Sequence, residues 1–431
     1  MKPNNINILF IFMLCVPSAT FAQQSDLLEK YRFMAVEYNH DLKAADKNIS
    51  ASIELEKAAQ KDLRPKLSGD ANFQFTGNPM QLTLDLPSMQ NPLSIEGKDM
   101  KYGASLSLLQ PVYTGGRLLE NIRLAKHQHS LAAHEAEYFR SAVCYQTDMQ
   151  YWNTVARAEI VRIATDYRNS IASLVQTISE RVEVGWVDPQ DLLMAEVKLN
   201  EAEYQLLQAQ SNLETGRMAL NSLIGIELGA ITEVEDTIPT VTLPAETISQ
   251  DGVNRPELKM AYDKIQIAES SKRLTDAKYK PQLYIGIDGS YSSPGYNFKK
   301  DLDPNYAVYA KLSVPLFEWG KRRNEKRAST FYVDATNDNL NQVTDRINLE
   351  VQTARTSLSQ AMEQVRLTGS SLEKARENER LAVERYSEGK VSVVEVIEAQ
   401  NYRQVSQTNH VQAKVSAQGY YSALLKALNK Y

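Results

Sequence analysis

The amino-acid sequence predicts an α+β fold in which one structural unit occurs twice. A short motif at residues 111–117 recurs at residues 315–321, and Gly185 recurs as Gly389, in both cases 204 positions later. Segments with alternating apolar and polar residues, typical of β-strands, precede long stretches that contain almost no glycine or proline. We therefore expect each unit to hold a strand pair, a very long helix and a second helix.

The N-terminus has the pattern of a secretory signal peptide. Lys2 is followed by an apolar run at residues 8–16 and by small residues that end at Ala22. This order predicts a signal peptide at residues 1–22, although a buried N-terminal helix is the alternative reading. Cleavage would leave Cys144 as the one cysteine of the mature chain, so stability has to come from packing and not from an internal disulfide.

The first predicted unit covers residues 23–250. Asp188 followed by Pro189 predicts the start of its last helix, because aspartate is favoured at the N-cap and proline at the first helical position. A polar loop at residues 77–101 should join the two strands, and its prolines argue against further strands there. In chain order we expect strands at about 65–76 and 101–111, a long helix at about 117–184 and a helix at about 189–225.

The second predicted unit covers residues 251–431. Ser392 and Glu395 have the spacing of a capping box, which marks the start of its last helix. A helix of the length expected for the preceding element would extend close to 100 Å, and this requires helical neighbours along its course. In chain order we expect strands at about 281–292 and 305–315, a long helix at about 321–388 and a helix at about 392–428.

The strands decide between two classes of protein. Amphipathic strands of about ten residues match the thickness of a bilayer, but four strands cannot close a barrel in lipid. Several chains would have to pool their strands in a membrane. The alternative from the periodicity alone is a soluble hairpin beside a coiled coil.

Composition and motifs exclude several other functions. A net charge of −5 argues against nucleic acid as a partner. The sequence contains no phosphate-binding glycine loop, zinc-protease motif or nucleophile elbow, so we expect no enzyme and no cofactor. Of the clustered histidines, only His127 and His134 share a helix face, and His129 does not. We therefore expect solvated histidines and no metal site.

The chain resembles the TolC family of bacterial outer-membrane efflux proteins over essentially its whole mature length. The resemblance rests on the duplication, on the Pro-hydrophobic-aromatic-x-x-Gly-basic motif at residues 111–117 and 315–321, and on the closing pattern at residues 385–400. It implies a homotrimer that shares one outer-membrane β-barrel and continues as an α-helical barrel through the periplasm.

The resemblance also implies a function and its partners. The protein would be a passive exit duct of a tripartite efflux or type I secretion system. It would dock with an inner-membrane pump of the RND, ABC or a similar class through a periplasmic adaptor, while outer-membrane lipid surrounds its strands. A soluble periplasmic coiled-coil adaptor or scaffold without a channel is the competing hypothesis.

The resemblance further assigns candidate residues to a channel aperture at the helix corners. Glu395 and Glu398 match an acidic ring, and Tyr386, Gln190 and Asp191 match polar links between helix pairs. Val391 stands where the best-known family member has an arginine, which puts a charged latch at that position in doubt. Helix capping by Glu395, dipole compensation by Asp191 and simple packing by Tyr386 are the alternatives that the residues leave open.

Overall fold

A computed structural model describes residues 26–84, 92–242, 254–295 and 301–431 of the chain. The predicted signal peptide at residues 1–22 lies outside these ranges. The chain divides into two compact units, one made of Met1–Asn39, Arg140–Gly252 and Asn348–Tyr431, the other of His40–Phe139 and Val253–Ile347. Each compact unit takes segments from both repeats. The boundary between residues 250 and 251 therefore separates the two sequence repeats and not the two compact units, and it stays a prediction.

The observed elements confirm an α+β fold with two repeated sets of strands and long helices. The two longest helices each have 67 residues and begin 204 positions apart. The helices are α1 (Asp26–Tyr38), α2 (His40–Lys61), α3 (Arg117–Glu183), α4 (Pro189–Ile224), α5 (Pro256–Ala277), α6 (Lys321–Ser387) and α7 (Val393–Ala427). The strands are β1 (Lys66–Phe75), β2 (Gln81–Leu84), β3 (Leu93–Glu96), β4 (Met100–Tyr113), β5 (Gln282–Ser293) and β6 (Asp303–Ser313).

The four long strands form one antiparallel sheet in the order β1-β4-β5-β6. The central pairing joins β4 of the first repeat to β5 of the second, with Leu108 opposite Ile287. On the same face Val308 lies opposite Ile287. The apolar residues of the four strands therefore share one face, as their period of two predicts. No helix of the described segments is long and apolar enough to cross a membrane.

The expected polar loop at residues 77–101 is wrong in part. It contains β2 and β3, which pair with each other as a separate two-stranded sheet. Pro79 and Pro92 lie just outside these strands, where proline does not remove a ladder hydrogen bond. Four-residue strands give too short an alternation for the sequence to reveal them.

Both long helices end in the same turn. Gly185 and Gly389 have φ angles of 74° and 72°, a left-handed conformation that glycine adopts without a Cβ clash. At the first corner the Gly185 amide donates to the Val182 carbonyl and the Trp186 amide donates to the Arg181 carbonyl. Equivalent bonds form at the second corner, so both helices end in a Schellman motif.

The two strand-to-helix junctions differ at one position. Gly115 has φ 65° in the first repeat, and its equivalent Trp319 has φ 47° in the second. A Cβ added at Gly115 would lie 2.6 Å from the Cβ of Lys280. The first junction therefore requires glycine for two reasons, the positive φ angle and the lack of space for a side chain. Trp319 carries a bulky side chain in a conformation that costs about 1–2 kcal/mol for an L-residue.

A buried charge cluster fixes the C-terminus in one compact unit. The Arg32 guanidinium donates to both carboxylate oxygens of Asp148, at 2.5 and 2.6 Å, and the Tyr431 hydroxyl donates to the same carboxylate at 2.6 Å. The Asp148 side chain is fully buried. Burial, the nearby Asp148 charge and this hydrogen bond raise the pKa of Tyr431, so the phenol stays protonated.

We expect replacement of Asp148 by alanine to lower the free energy of unfolding by about 3–5 kcal/mol, because Arg32 would be left as a buried charge without its main partner. Tyr431→Phe should cost about 1 kcal/mol, the value of one hydrogen bond. Thermal unfolding followed by circular dichroism measures both. Glu363→Gln is the control, because it breaks an exposed ion pair and should leave the melting temperature nearly unchanged. Equal losses for Asp148→Ala and Glu363→Gln would contradict the role of the cluster.

Candidate functional site at the helix corners

The ends of the two long helices and the starts of the helices that follow them pack together in one compact unit. Their buried apolar cluster takes residues from α3, α4, α6 and α7, namely Leu174, Ile178, Ala195, Tyr386, Val393 and Val396. Helix α4 contributes a small residue to this cluster, since Ala195 is completely buried. The four helix ends are therefore positioned by apolar packing, and their polar side chains lie around this cluster.

Arg181 links the end of α3 to the end of α6. Its guanidinium donates to the carbonyl oxygens of Tyr386 and Ser387, at 3.2 and 3.4 Å. The same guanidinium lies over the Tyr386 ring, with 4.6 Å between its central carbon and the ring centroid. Stacking and hydrogen bonding together hold the last turn of α6 against α3.

The Tyr386 side chain packs inside the apolar cluster of its own chain. Its side chain is buried, and its hydroxyl has no hydrogen-bond partner among the described residues. Burial raises the pKa of the hydroxyl, and the positive charge of Arg181 opposes this effect. The negative charge of Asp191 adds to this rise in pKa.

The predicted acidic residues lie on the exposed side of α7. Glu395 and Glu398 are both exposed, while Val393 and Val396 of the same helix are buried in the cluster. Three residues of separation places the two carboxylates on one helix face. Two carboxylates per chain thus face solvent at this corner, in a position to repel each other and to attract cations.

Glu395 also serves as a cap. The Ser392 hydroxyl accepts the Glu395 amide at 3.4 Å, and the Glu395 carboxylate accepts the Ser392 amide at 3.2 Å, which completes a capping box. Gln190 is exposed, and its backbone amide donates to the N-cap Asp188 at 2.8 Å. Helix capping therefore accounts for part of the local sequence, whereas Glu398 makes no capping contact.

The structure places Arg181 against Tyr386, a contact that the sequence analysis missed. A signal was present in the sequence, because Arg181 and Arg385 occupy equivalent positions four residues before the corner glycines. Arg181 contacts the last turn of α6, close in sequence to Val391.

Two of the three clustered histidines, His129 and His134, contact carboxylates on different helices in the other compact unit. His129 contacts Glu56 of α2 at 3.2 Å, and His134 contacts Asp263 of α5 at 2.6 Å. Within the described ranges, no three histidine, cysteine or carboxylate side chains come together as a metal site would require. The expected lack of a metal site in the whole chain stays a prediction.

Two solved structures share the fold. The crystal structure of CusC aligns with a TM-score of 0.79 and 16% identity, and the alignment covers 94% of this chain and 92% of CusC. The Campylobacter jejuni CmeC outer membrane channel aligns with a TM-score of 0.74 and 18% identity over 99% of this chain and 93% of CmeC. At these identities the likeness establishes the fold.

Two curated relatives are similar in sequence. The cobalt-zinc-cadmium resistance protein CzcC of Cupriavidus metallidurans is 23% identical over 67% of this chain and 68% of CzcC. The solvent efflux pump outer membrane protein SrpC of Pseudomonas putida is 25% identical over an alignment that covers 67% of this chain and 61% of SrpC.

The model of the outer membrane efflux protein family matches residues 34–226 and 247–430, which include nearly all of both repeats. The members of this family are transport channels, so the predictions of an outer-membrane location and of a protein that is not an enzyme are confirmed. The matched segments hold both strand pairs, both long helices and the candidate aperture, and the chain belongs to the outer membrane efflux protein family.

Proposed function

We propose that this protein is the passive exit duct of a tripartite efflux or type I secretion system and that it works as a homotrimer. Membership of the outer membrane efflux family over both repeats carries the proposal. A periplasmic adaptor would connect the duct to an inner-membrane RND, ABC or similar transporter, which supplies the energy. The outer-membrane location of the family argues against the competing hypothesis of a soluble periplasmic adaptor or scaffold. Cross-linking in cells, followed by purification of the duct, tests whether an adaptor and a transporter accompany it.

In this proposal the inner-membrane transporter, and not the duct, determines which solute is exported. One relative is named for cobalt, zinc and cadmium, and another is named for solvents. Similar proteins are therefore named for chemically different solutes. We infer that selectivity lies in the transporter, and that exchange of transporters would change the cargo of this duct.

The internal repeat supports a shared barrel. In the four-stranded sheet, β1 and β6 are the edge strands, and edges cannot face lipid with unpaired backbone groups. The chain already contains a joint between β4 and β5, strands that belong to different repeats. Because β6 is the equivalent of β4 and β1 is the equivalent of β5, β6 of one copy can pair with β1 of a partner subunit in the same way.

The repeat also gives the register of this joint. Adding 204 to a β4 residue and subtracting 216 from its β5 partner turns the pair Ser107–Asp288 into Lys311 and Asn72 of the partner subunit. The neighbouring pair Leu108–Ile287 becomes Leu312 and Ala71 of the partner subunit. Polar residues meet polar residues and apolar residues meet apolar ones, whereas a slip of one residue would mix the faces.

We expect the double variants Lys311→Cys/Asn72→Cys and Leu312→Cys/Ala71→Cys, in a Cys144→Ala background, to form covalent dimers and trimers on oxidation. Directly opposed residues in antiparallel strands are close enough for a disulfide in at least one of two successive pairs. Lys311→Cys/Ser68→Cys is the matched control, because Ser68 lies four residues, about 13 Å, out of register. Non-reducing electrophoresis measures the products. Cross-linking of the control alone would contradict the register, and a protein that is monomeric in mild detergent would contradict the trimer.

The acidic ring is the proposed element that makes the duct prefer cations over anions. Symmetry would repeat Glu395 and Glu398 around one axis, and their exposure leaves both carboxylates free to face a lumen. Several carboxylates near a narrow aqueous path concentrate cations and bind multivalent ones. Gln190 and Asp191 would lie beside this ring as polar groups of the neighbouring helix corner.

Channels of the Glu395→Gln/Glu398→Gln variant should lose most of their preference for cations and most of their block by multivalent cations. Glutamine keeps the capping hydrogen bond while it removes the charge, so assembly should be unchanged. Conductance and reversal potentials in planar bilayers provide the measurement. Glu196→Gln/Glu373→Gln removes two exposed carboxylates outside the ring and should behave as wild type. Unchanged ion selectivity in the first variant would refute the ring.

We propose that Arg181 keeps the aperture narrow by holding the end of α6 against α3 within one chain. Arg181→Met should raise the mean conductance and its fluctuations, because the end of α6 would lose two hydrogen bonds and the stacking contact to α3. Tyr386→Phe keeps the ring under Arg181 and removes a hydroxyl without a described partner, so it should conduct as wild type. Single-channel recordings compare the two. An open channel in Tyr386→Phe would show that the hydroxyl itself is a latch in the assembled protein.

A further inference from the structure

The start of α6 carries a concentrated basic patch in a chain whose net charge is −5. Five of its first seven residues are basic and all five are exposed, namely Lys321, Arg322, Arg323, Lys326 and Arg327. The first turn contains no acidic residue. Positive charge at a helix N-terminus opposes the helix dipole, so these residues do not serve the stability of α6 itself.

Contacts within the chain account for only part of this charge. Lys326 lies 3.5 Å from the Asp276 carboxylate, and Arg322 lies over the ring of Tyr279. Among the described residues, Arg323 and Arg327 form no ion pair and no side-chain hydrogen bond. Two guanidinium groups are thus available to an external anion.

The common architecture of the two repeats does not require the patch. The equivalents of Arg322, Arg323 and Lys326 in the first repeat are Leu118, Leu119 and Ile122, all apolar. Lys321 and Arg327 have the basic equivalents Arg117 and Arg123, and Arg123 pairs with Glu120. Helix α3 has the same length as α6 without the other three charges, so the excess of basic residues is a property of the second junction.

An apolar rim directly precedes the patch. Leu316 and Trp319 are each 91% exposed and Phe317 is 72% exposed. The rings of Phe317 and Trp319 meet edge to face, with 5.0 Å between their centroids. Aromatic side chains at the end of membrane strands are typical of the boundary between hydrocarbon and headgroups. The equivalent residues Val112 and Tyr113 are also about half exposed.

From this arrangement we propose that the second strand-to-helix junction binds an anionic glycerophospholipid of the periplasmic leaflet, with Arg323 and Arg327 as its phosphate ligands. The rim reaches the acyl region, and the patch extends about 9 Å further along the helix. That length is similar to the depth of one headgroup layer, about 5–8 Å. Arginine suits the phosphate, and long basic side chains extend along an interface toward headgroups. The inference rests on the membrane location of the strands but not on the duct being an efflux component.

The test uses the full-length assembled protein in neutral detergent, with phosphatidylglycerol or phosphatidylcholine added at equal concentrations. Native mass spectrometry counts retained lipids, and a thermal melt gives Tm. We expect phosphatidylglycerol, and not phosphatidylcholine, to be retained and to raise Tm. In Arg323→Gln/Arg327→Gln, the apparent affinity for phosphatidylglycerol should fall at least tenfold.

The variant and its control separate binding from folding. Without lipid, Arg323→Gln/Arg327→Gln should melt at or slightly above the wild-type Tm, because the two charges oppose the helix dipole. Arg346→Gln/Arg376→Gln removes two exposed arginines from the same helix and should keep wild-type lipid binding. Equal phosphatidylglycerol binding by both variants would overturn the proposal. An equal rise in Tm with inorganic phosphate alone would also overturn it, because it would indicate a free-anion site.

Discussion

The antiparallel pairing of β4 with β5 is the interaction on which the rest of this structure depends. It joins strands that are far apart in sequence and belong to different repeats, so it makes one sheet out of two units. Because α3 follows β4 and α6 follows β6, the same sheet fixes where both 67-residue helices begin. It also leaves β1 and β6 as edge strands, and these are the repeat equivalents of the paired strands β5 and β4. Backbone polar groups at such edges need partners in lipid, which makes the internal joint the natural template for joints between copies.

Much of this fold could be predicted from the sequence, because the signals were periodic and occurred twice. The strand alternation, the scarcity of glycine and proline in the long helices and the caps at Asp188 and Ser392 each report a local property, and local properties survive in the final structure. The corner glycines are the clearest case, since a left-handed residue at a helix end has few alternatives to glycine. The repeat then raised the value of each signal, because two weak motifs at a constant distance support each other.

The features that the sequence could not reveal depend on contacts between distant residues or on short elements. Strands β2 and β3 are too short for their alternation to stand out. The contact of Arg32 with Asp148 and Tyr431 joins two helices, α1 and α3, to the residue Tyr431 that follows α7, and no local pattern indicates it. Arg181 was visible as a repeated arginine, but its contact with Tyr386 depends on how α3 packs against α6. The candidate ring at Glu395 was recognisable by resemblance, whereas its capping geometry follows from the residues alone.

Comparison of the two repeats separates the residues that build the fold from those that give each junction its chemistry. Gly116 and Gly320 both have a positive φ, of 91° and 79°, because the chain has to turn from strand to helix at that point in both repeats. One position earlier the constraint differs. Gly115 is pressed against Lys280 and has no room for a side chain, while Trp319 faces open space and keeps a strained conformation together with an exposed ring. A strained bulky residue persists where its surroundings hold it or where its side chain is used. The Phe317 ring touches Trp319 but leaves it 91% exposed, so an environment outside the chain is the better explanation, and at the end of a membrane strand that environment is the lipid interface.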